Sequence, residues 1–334
     1  MDRRRLLTVS LGMSLGTTAG AAAMALTGCG KDDADATAIR LGDTVAESNP
    51  QIAAERYFGE RLAALTDGAY DVKVYPNSTL GDPAKMNLQV RDGNLHMTKT
   101  LFASLTVFDK RLGVMSLPYA FARQDDLYIA LLARLGRQLG NILEAQNFKV
   151  LAFFDSGARN VYNKKRPIRT PDDLKGLRLR VPQDTVAIDT FTTLGAVATP
   201  MAANEILPAL QQGTIDGAEN NPIFYVTNKH VGEATYWSWT RHQFGIDALL
   251  VSKKYFDGLS KKHQDAFVEA GFDAQKREWD LWAKETDNYV KQATDKGAKI
   301  NDDVDVDAFR RAVKPIIDKN RIVYGDLLDL LPIV

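Results

Sequence analysis

Cysteine is almost absent: of 334 residues only Cys29 carries a thiol. One cysteine excludes an intramolecular disulfide and a thiolate metal cluster, and no cysteine beyond position 29 remains to serve as a nucleophile. Histidine is scarce too, and His96, His230, His242 and His263 offer no pair at a metal-ligand spacing such as H-E-x-x-H. G-x-S-x-G, G-x-G-x-x-G and Walker-type loops are missing, so nothing points to catalytic residues, a metal or a cofactor. The 42 carboxylates include no pair whose spacing singles it out for glycoside chemistry. Charge of one sign is lacking as well. With 42 basic and 42 acidic residues the formal net charge is +0, and no global field recruits nucleic acid or an anionic membrane. Repeats, low-complexity tracts and heptads do not occur.

Long hydrophobic runs are confined to the N-terminus. Arg3, Arg4 and Arg5 precede an uncharged run, Leu6 to Gly28, with the layout of an export signal. Leu26-Thr27-Gly28-Cys29 resembles a bacterial lipobox, and Arg3-Arg4-Arg5-Leu6-Leu7 resembles a twin-arginine motif. The expectation is a lipoprotein signal over residues 1–28, lipidation at Cys29 and a polar tether over 29–37. An uncleaved membrane anchor is the alternative, because about 20 apolar residues can span a bilayer.

The rest has an ordinary globular balance, 45% hydrophobic and 25% charged, at a length that favours two lobes. Its organising stretch is T-P-D-D-L-K-G-L-R-L-R-V-P, from Thr170 to Pro182. Pro171 and Asp172-Asp173 read as the first turn of a short helix that Gly176 stops. Leu177, Leu179 and Val181 then alternate with Arg178 and Arg180, a strand pattern that Pro182 ends for want of an N–H. Arg180 thus falls at the carboxyl end of a strand, the edge where open α/β sheets collect ligands. Its planar fork of donors suits a carboxylate, so an anionic small molecule is expected there. Arg178 lies earlier on the same strand face, where a surface ion pair is expected.

Strands and helices alternate from Ile39 to Thr98, as in parallel βαβ units. Gln124 to Gln146 reads as one amphipathic helix, Phe148 to Phe154 as a buried strand, and Trp237 to His242 and Ile246 to Ser252 as two further strands. Ser260 to about Lys296 reads as one long helix with Phe267, Ala270, Ala274 and Leu281 on its apolar face. The fold class is therefore α/β. Polar residues follow five strand ends: Thr44 with Glu47, Lys99 with Thr100, Arg159, Arg180, and Asn220 with Asn221. In a parallel sheet all would face one cleft, although strand ends are polar by default. His242 fits a cleft wall or a satisfied core position. Trp237, Trp239 and Phe224 could stack on a sugar ring or belong to the core.

Together these stretches resemble the substrate-binding proteins of tripartite ATP-independent periplasmic (TRAP) transporters. The likeness runs through V-Y-P-N-S-T-L-G-D from Val74, L-P-Y-A-F from Leu117, D-S-G-A-R-N-V-Y from Asp155, D-L-K-G-L-R-L-R-V-P from Asp173, A-L-Q-Q-G-T-I-D-G-A-E-N-N from Ala209 and L-L-V-S-K-K-Y-F from Leu249. The resemblance implies two α/β lobes, 38–156 with 246–285 and 157–245 with 286–334, closing over an organic acid and crossed by a long helix. It matches Arg180 to the arginine that pairs with the substrate carboxylate and Arg159 and Asn220 to two further binding positions; His242, Asp247 and Thr100 fall near others. Many members carry an aromatic where Met201-Ala202-Ala203 has alanine. The A-R-N-V-Y and E-N-N details are similar to members that take sugar acids, so a uronate or aldonate is expected, passed to TRAP membrane subunits outside the cytoplasm. The rival classes are a lipid-anchored enzyme on an acidic sugar, with Glu219 or Asp247 as acid or base, and the binding component of an ATP-driven transporter or a sensor.

Overall fold

The chain opens with β1 (Thr37–Gly42), α1 (Pro50–Leu65), β2 (Tyr70–Tyr75), α2 (Pro83–Asp92) and β3 (Met97–Leu101) in the computed structural model, which describes residues 36–332. β1 pairs in parallel with both β2 and β3, as βαβ alternation requires. α2 begins and ends at its punctuation: Asp82 accepts from the Lys85 N–H, Pro83 occupies the first turn, and Gly93 takes a left-handed φ of 82°. The helix expected over Gln124 to Gln146 is two, α3 (Gln124–Leu132) and α4 (Arg134–Glu144), broken at Ala133. They cross so closely that a Cβ at Gly136 would stand 1.9 Å from the Leu131 carbonyl oxygen, so only glycine permits the bend.

A second βαβαβ run follows the long strand β4 (Phe148–Asn163) and comprises β5 (Arg178–Val181), α5 (Thr185–Thr193), β6 (Val197–Pro200), α6 (Ile206–Gln211) and β7 (Gly217–Asn220). The chain continues through α7 (Pro222–Thr227), β8 (Tyr236–Ser252), α8 (Lys253–Asp257), α9 (Lys261–Asp295), β9 (Lys299–Asn301) and α10 (Val306–Tyr324). All strands join one sheet in the order β2-β1-β3-β8-β4-β7-β5-β6, with β9 against β8. The halves are two parallel three-stranded arrays, and β4 and β8 run antiparallel between them.

The sheet is therefore mixed, not all parallel, and several expected strand ends are strand interiors. Arg159 lies within β4, Lys99 and Thr100 lie within β3, and the two strands expected over 237–252 are the single strand β8. The Asp155-Ser156-Gly157 run reads as a break, yet β4 carries register shifts there and continues, with Gly157 at φ 66°. Bulges absorb the extra residues without ending the pairing. The β4 edge turned away from β8 is uncovered before Asn160, where the pairing with β7 begins, so its backbone N–H groups there need other partners. α9 supplies them: Gln275 Oε1 accepts from Phe153 N–H at 2.7 Å and Glu278 Oε2 from Asp155 N–H at 2.7 Å.

α9 has 35 residues, about 50 Å at 1.5 Å per residue. Its first half buries Phe267, Ala270 and Ala274 in one apolar core with Phe58 of α1. Gly271 sits so close to β4 that a Cβ would meet the Leu151 carbonyl oxygen at 2.5 Å. Farther along, the inward residue is Trp282, while Leu281, expected on the apolar face, is only half-buried. Among the described residues no helix is long and apolar enough to cross a membrane.

Candidate binding site

The carboxyl ends of β1, β3, β5 and β7 open onto one cleft of about 870 Å³, partly continuous with solvent. Sequence order explains the convergence, because each parallel array turns its carboxyl ends toward the middle of the sheet. β4 and β8 form the floor and bring in Arg159 and Asp247.

Arg180 reaches the cleft from β5 with 5% of its surface exposed. Its Nε and Nη2 donate to the Met201 carbonyl oxygen at 3.0 and 2.8 Å, so three of a guanidinium's five N–H donors stay open. Among the described residues it makes no salt bridge. Burial pulls its pKa down to about 10, partly offset by the Glu219 carboxylate. It remains charged at neutral pH without a counter-ion.

Arg159 is buried as well, at 2% exposure, but most of its donors are engaged. Its Nε and Nη2 fork onto Glu219 Oε2 and Oε1 at 2.6 and 2.7 Å, and Nη1 approaches Asn220 Oδ1 at 3.4 Å. Burial alone would raise the Glu219 carboxyl; the Arg159 charge and the His242 bond overcome it and hold the pKa at about 2. His242 Nε2 lies 3.1 Å from Glu219 Oε2 and its Nδ1 2.9 Å from the Thr240 hydroxyl. Burial lowers the imidazole's pKa, so the ring is neutral at pH 7.

The third cation is Lys99. Gln51 Oε1, Asp247 Oδ2 and Asp43 Oδ1 stand around its Nζ at 2.8, 3.0 and 3.1 Å. Burial pulls its pKa down, yet the Asp247 and Asp43 carboxylates more than offset this and leave it raised. Behind them Glu55 is fully buried beside Asp43. Burial and neighbouring Asp43 push its pKa well above the carboxylate range. Among the described residues no cluster of His, Cys, Asp and Glu is placed to hold a metal.

Beyond the cleft geometry, the bacterial extracellular solute-binding protein family 7 matches residues 41–322 of the chain. The chain belongs to this solute-binding family. A relative called solute-binding protein, from Chromohalobacter salexigens, is 35% identical over 272 residues, covering 81% of each chain. The 2,3-diketo-L-gulonate-binding periplasmic protein YiaO of Escherichia coli is 29% identical, covering 83% of this chain and 85% of its own. Among solved structures, a TRAP periplasmic solute-binding protein from Chromohalobacter salexigens with bound D-glucuronate aligns with a TM-score of 0.85 at 34% identity, covering 87% of this chain and 97% of that one. Another from a Sulfitobacter species, with bound β-D-galacturonate, has a TM-score of 0.85 at 30% identity, covering 88% and 98%. The chain is thus a TRAP-type solute-binding protein with the two-lobed α/β fold of that class. Such proteins bind small acids outside the cytoplasm and work with membrane subunits.

In this solute-binding protein the cleft collects Arg180, Arg159, Asn220, Asp247, Lys99 and Phe224 from the sequence-level set, with Thr44 beside them. Three others stand apart. Glu47 is exposed and pairs with Arg56, because the turn after β1 carries it to the surface. Thr100 alternates away from Lys99 along β3 and reaches only the hydroxyl of Ser104, itself a lining residue. His242 lies behind Glu219 and orients it rather than lining the cleft. Trp237 is core, stacked with Tyr162 at 5.9 Å, and Trp239 packs under Arg241. Arg178 forms its expected ion pair, with Asp216 at 2.8 Å.

Sequence reasoning missed Gln51, Asn49, Ser156 and the Met201 carbonyl. Gln51 had a signal: it follows the cap Asn49 on the inward face of α1. The alanines at 202 and 203 line the cleft. Glu219 is unsuited to general acid catalysis, since an acid held at about 2 and forked by a guanidinium has no proton to give at neutral pH.

Proposed function

We propose that the protein captures a sugar acid, a uronate or an aldonate, and presents it to the membrane subunits of a TRAP transporter. The observation that carries the reading is Arg180: a buried guanidinium at the wall of a cleft, with three donors open and no salt bridge to a carboxylate among the described residues. A ligand carboxylate supplies the missing charge. Amide and hydroxyl groups of Asn49, Asn220, Asn221 and Thr44 line the same space and suit ring or chain hydroxyls. Phe224, also at the wall, offers an apolar face for the carbon skeleton. The uronates bound by the solved relatives agree with this chemistry.

Closure involves two lobes, 38–156 with 246–285 and 157–245 with 286–334. What supports the division is the bulged crossing of β4 and β8, where Gly157 and the register shift after Asp155 let the backbone bend. Cys29, which lies outside the described residues, carries the lipid that tethers the protein to a membrane. A Cys29→Ser variant found wholly in the soluble extracytoplasmic fraction supports that anchor, and one that still pellets with membranes rejects it.

A thermal-shift screen over uronates, aldonates and simple C4 acids tests the ligand class. A ligand at about 100 times its dissociation constant adds roughly 2.7 kcal/mol of stability, so the correct acid produces a clear upward shift. Stabilisation by none of the sugar acids rejects the reading.

A further inference from the structure

We propose that Asp247 makes the cleft selective for acids with a single carboxylate and excludes dicarboxylates of the same carbon skeleton. The inference rests on Arg180 as the carboxylate anchor and concerns the opposite half of the sheet, where Lys99 and Asp247 line the same cleft. A second arginine or lysine in a binding cleft would ordinarily welcome a second carboxylate. Here both already face acids of the protein itself. Arg159 is forked onto Glu219. Lys99 has three ammonium protons and three oxygens already around it, from Gln51, Asp247 and Asp43.

The charge balance of that wall points the same way. One ammonium faces two carboxylates, so the Lys99, Asp43 and Asp247 group carries one negative charge in excess. Asp247 Oδ2 is bonded to Lys99 and Gln51, whereas its Oδ1 is buried and has no hydrogen-bond partner. A buried carboxylate oxygen in that state calls for a donor. A ligand hydroxyl can donate. A ligand carboxylate can only accept, and it brings like charge against like with no proton to share. The end of the ligand remote from Arg180 is therefore a hydroxyl-bearing carbon, not an acid.

Calorimetry on the whole protein tests this with matched acids. The tightest binder among D-glucuronate, D-galacturonate and D-gluconate is compared with D-glucarate and galactarate, which carry a second carboxylate at the far terminus. The expected result is at least tenfold weaker binding of both diacids. In Asp247→Asn, which keeps the shape but removes the charge and adds a donor, that ratio shrinks at least fivefold, chiefly through tighter diacid binding. A diacid within tenfold of the best monoacid in the wild type overturns the inference, and this arm needs no variant to fold. A ratio unchanged in a folded Asp247→Asn protein overturns it too. Failure of every acid to bind the wild type would instead sink the sugar-acid reading itself, an outcome distinct from tight binding without discrimination.

Discussion

Arg180 and Arg159 are both buried guanidiniums on the wall of one cleft, carried by strands that each pair with β7. Arg159 holds Glu219 in a fork, with His242 on the same Oε2 that accepts from Arg159 Nε, and every charge in that trio is answered within the protein. Arg180 leans on a single backbone carbonyl and leaves most of its donors to the cleft. The difference separates structure from function. A compensated buried ion holds the floor of the site in shape, whereas an uncompensated one is a binding site awaiting its counter-ion. Lys99 follows Arg159 in this respect, being surrounded by acceptors of the protein itself.

The sharpest way to break the contrast is to strip Arg159 of its partner. Glu219→Ala leaves a buried charge unpaired and should cost about 3–5 kcal/mol of folding stability, read by denaturant unfolding; a loss under 1 kcal/mol would mean that the fork is incidental. Removing Arg180 should act on affinity instead. Arg180→Ala is expected to weaken sugar-acid binding by about 2–5 kcal/mol, while stability without ligand holds or rises because an unpaired buried charge is gone. Calorimetry showing less than a threefold loss would refute its role. Arg180→Lys keeps the charge but loses the fork, and a smaller penalty of about tenfold, near 1.4 kcal/mol, is expected. Wild-type affinity in that variant would argue against bidentate pairing.

The smallest effect is one of pH. Glu219 has a folded pKa of about 2 against an ordinary 4.5. Its contribution is therefore complete above about pH 4.5 and fades as pH falls toward 2. The stability gap between wild type and Glu219→Gln should narrow between pH 5 and pH 3 in thermal melts. A gap that widens on acidification would assign the carboxylate the wrong charge state.

Much of the site was legible in the sequence where chemistry and punctuation coincide. Thr170 to Pro182 fixes a short turn, a short strand and Arg180 at its carboxyl end, and the structure has β5 there with Gly176 at φ 73°. What could not be read was long-range. The Lys99–Asp247 pair joins residues 148 positions apart, and no local pattern marks it. Bulges hid the continuity of β4, because an extra residue flips the alternation that signals a strand, so Arg159 read as lying past an end. Glu55 did leave a trace: it stands three positions after Ile52 and three before Phe58, on the buried face of α1. An acid on an apolar stripe signals a raised pKa, and burial has raised this one.

A crystal structure of the protein with bound D-glucuronate tests the central claim most directly. The ligand carboxylate should sit on the free donors of Arg180, with two N–H···O contacts of about 2.7–2.9 Å, while Arg159 stays forked on Glu219. A carboxylate found on Arg159 or Lys99, with Arg180 facing only water, would contradict the account.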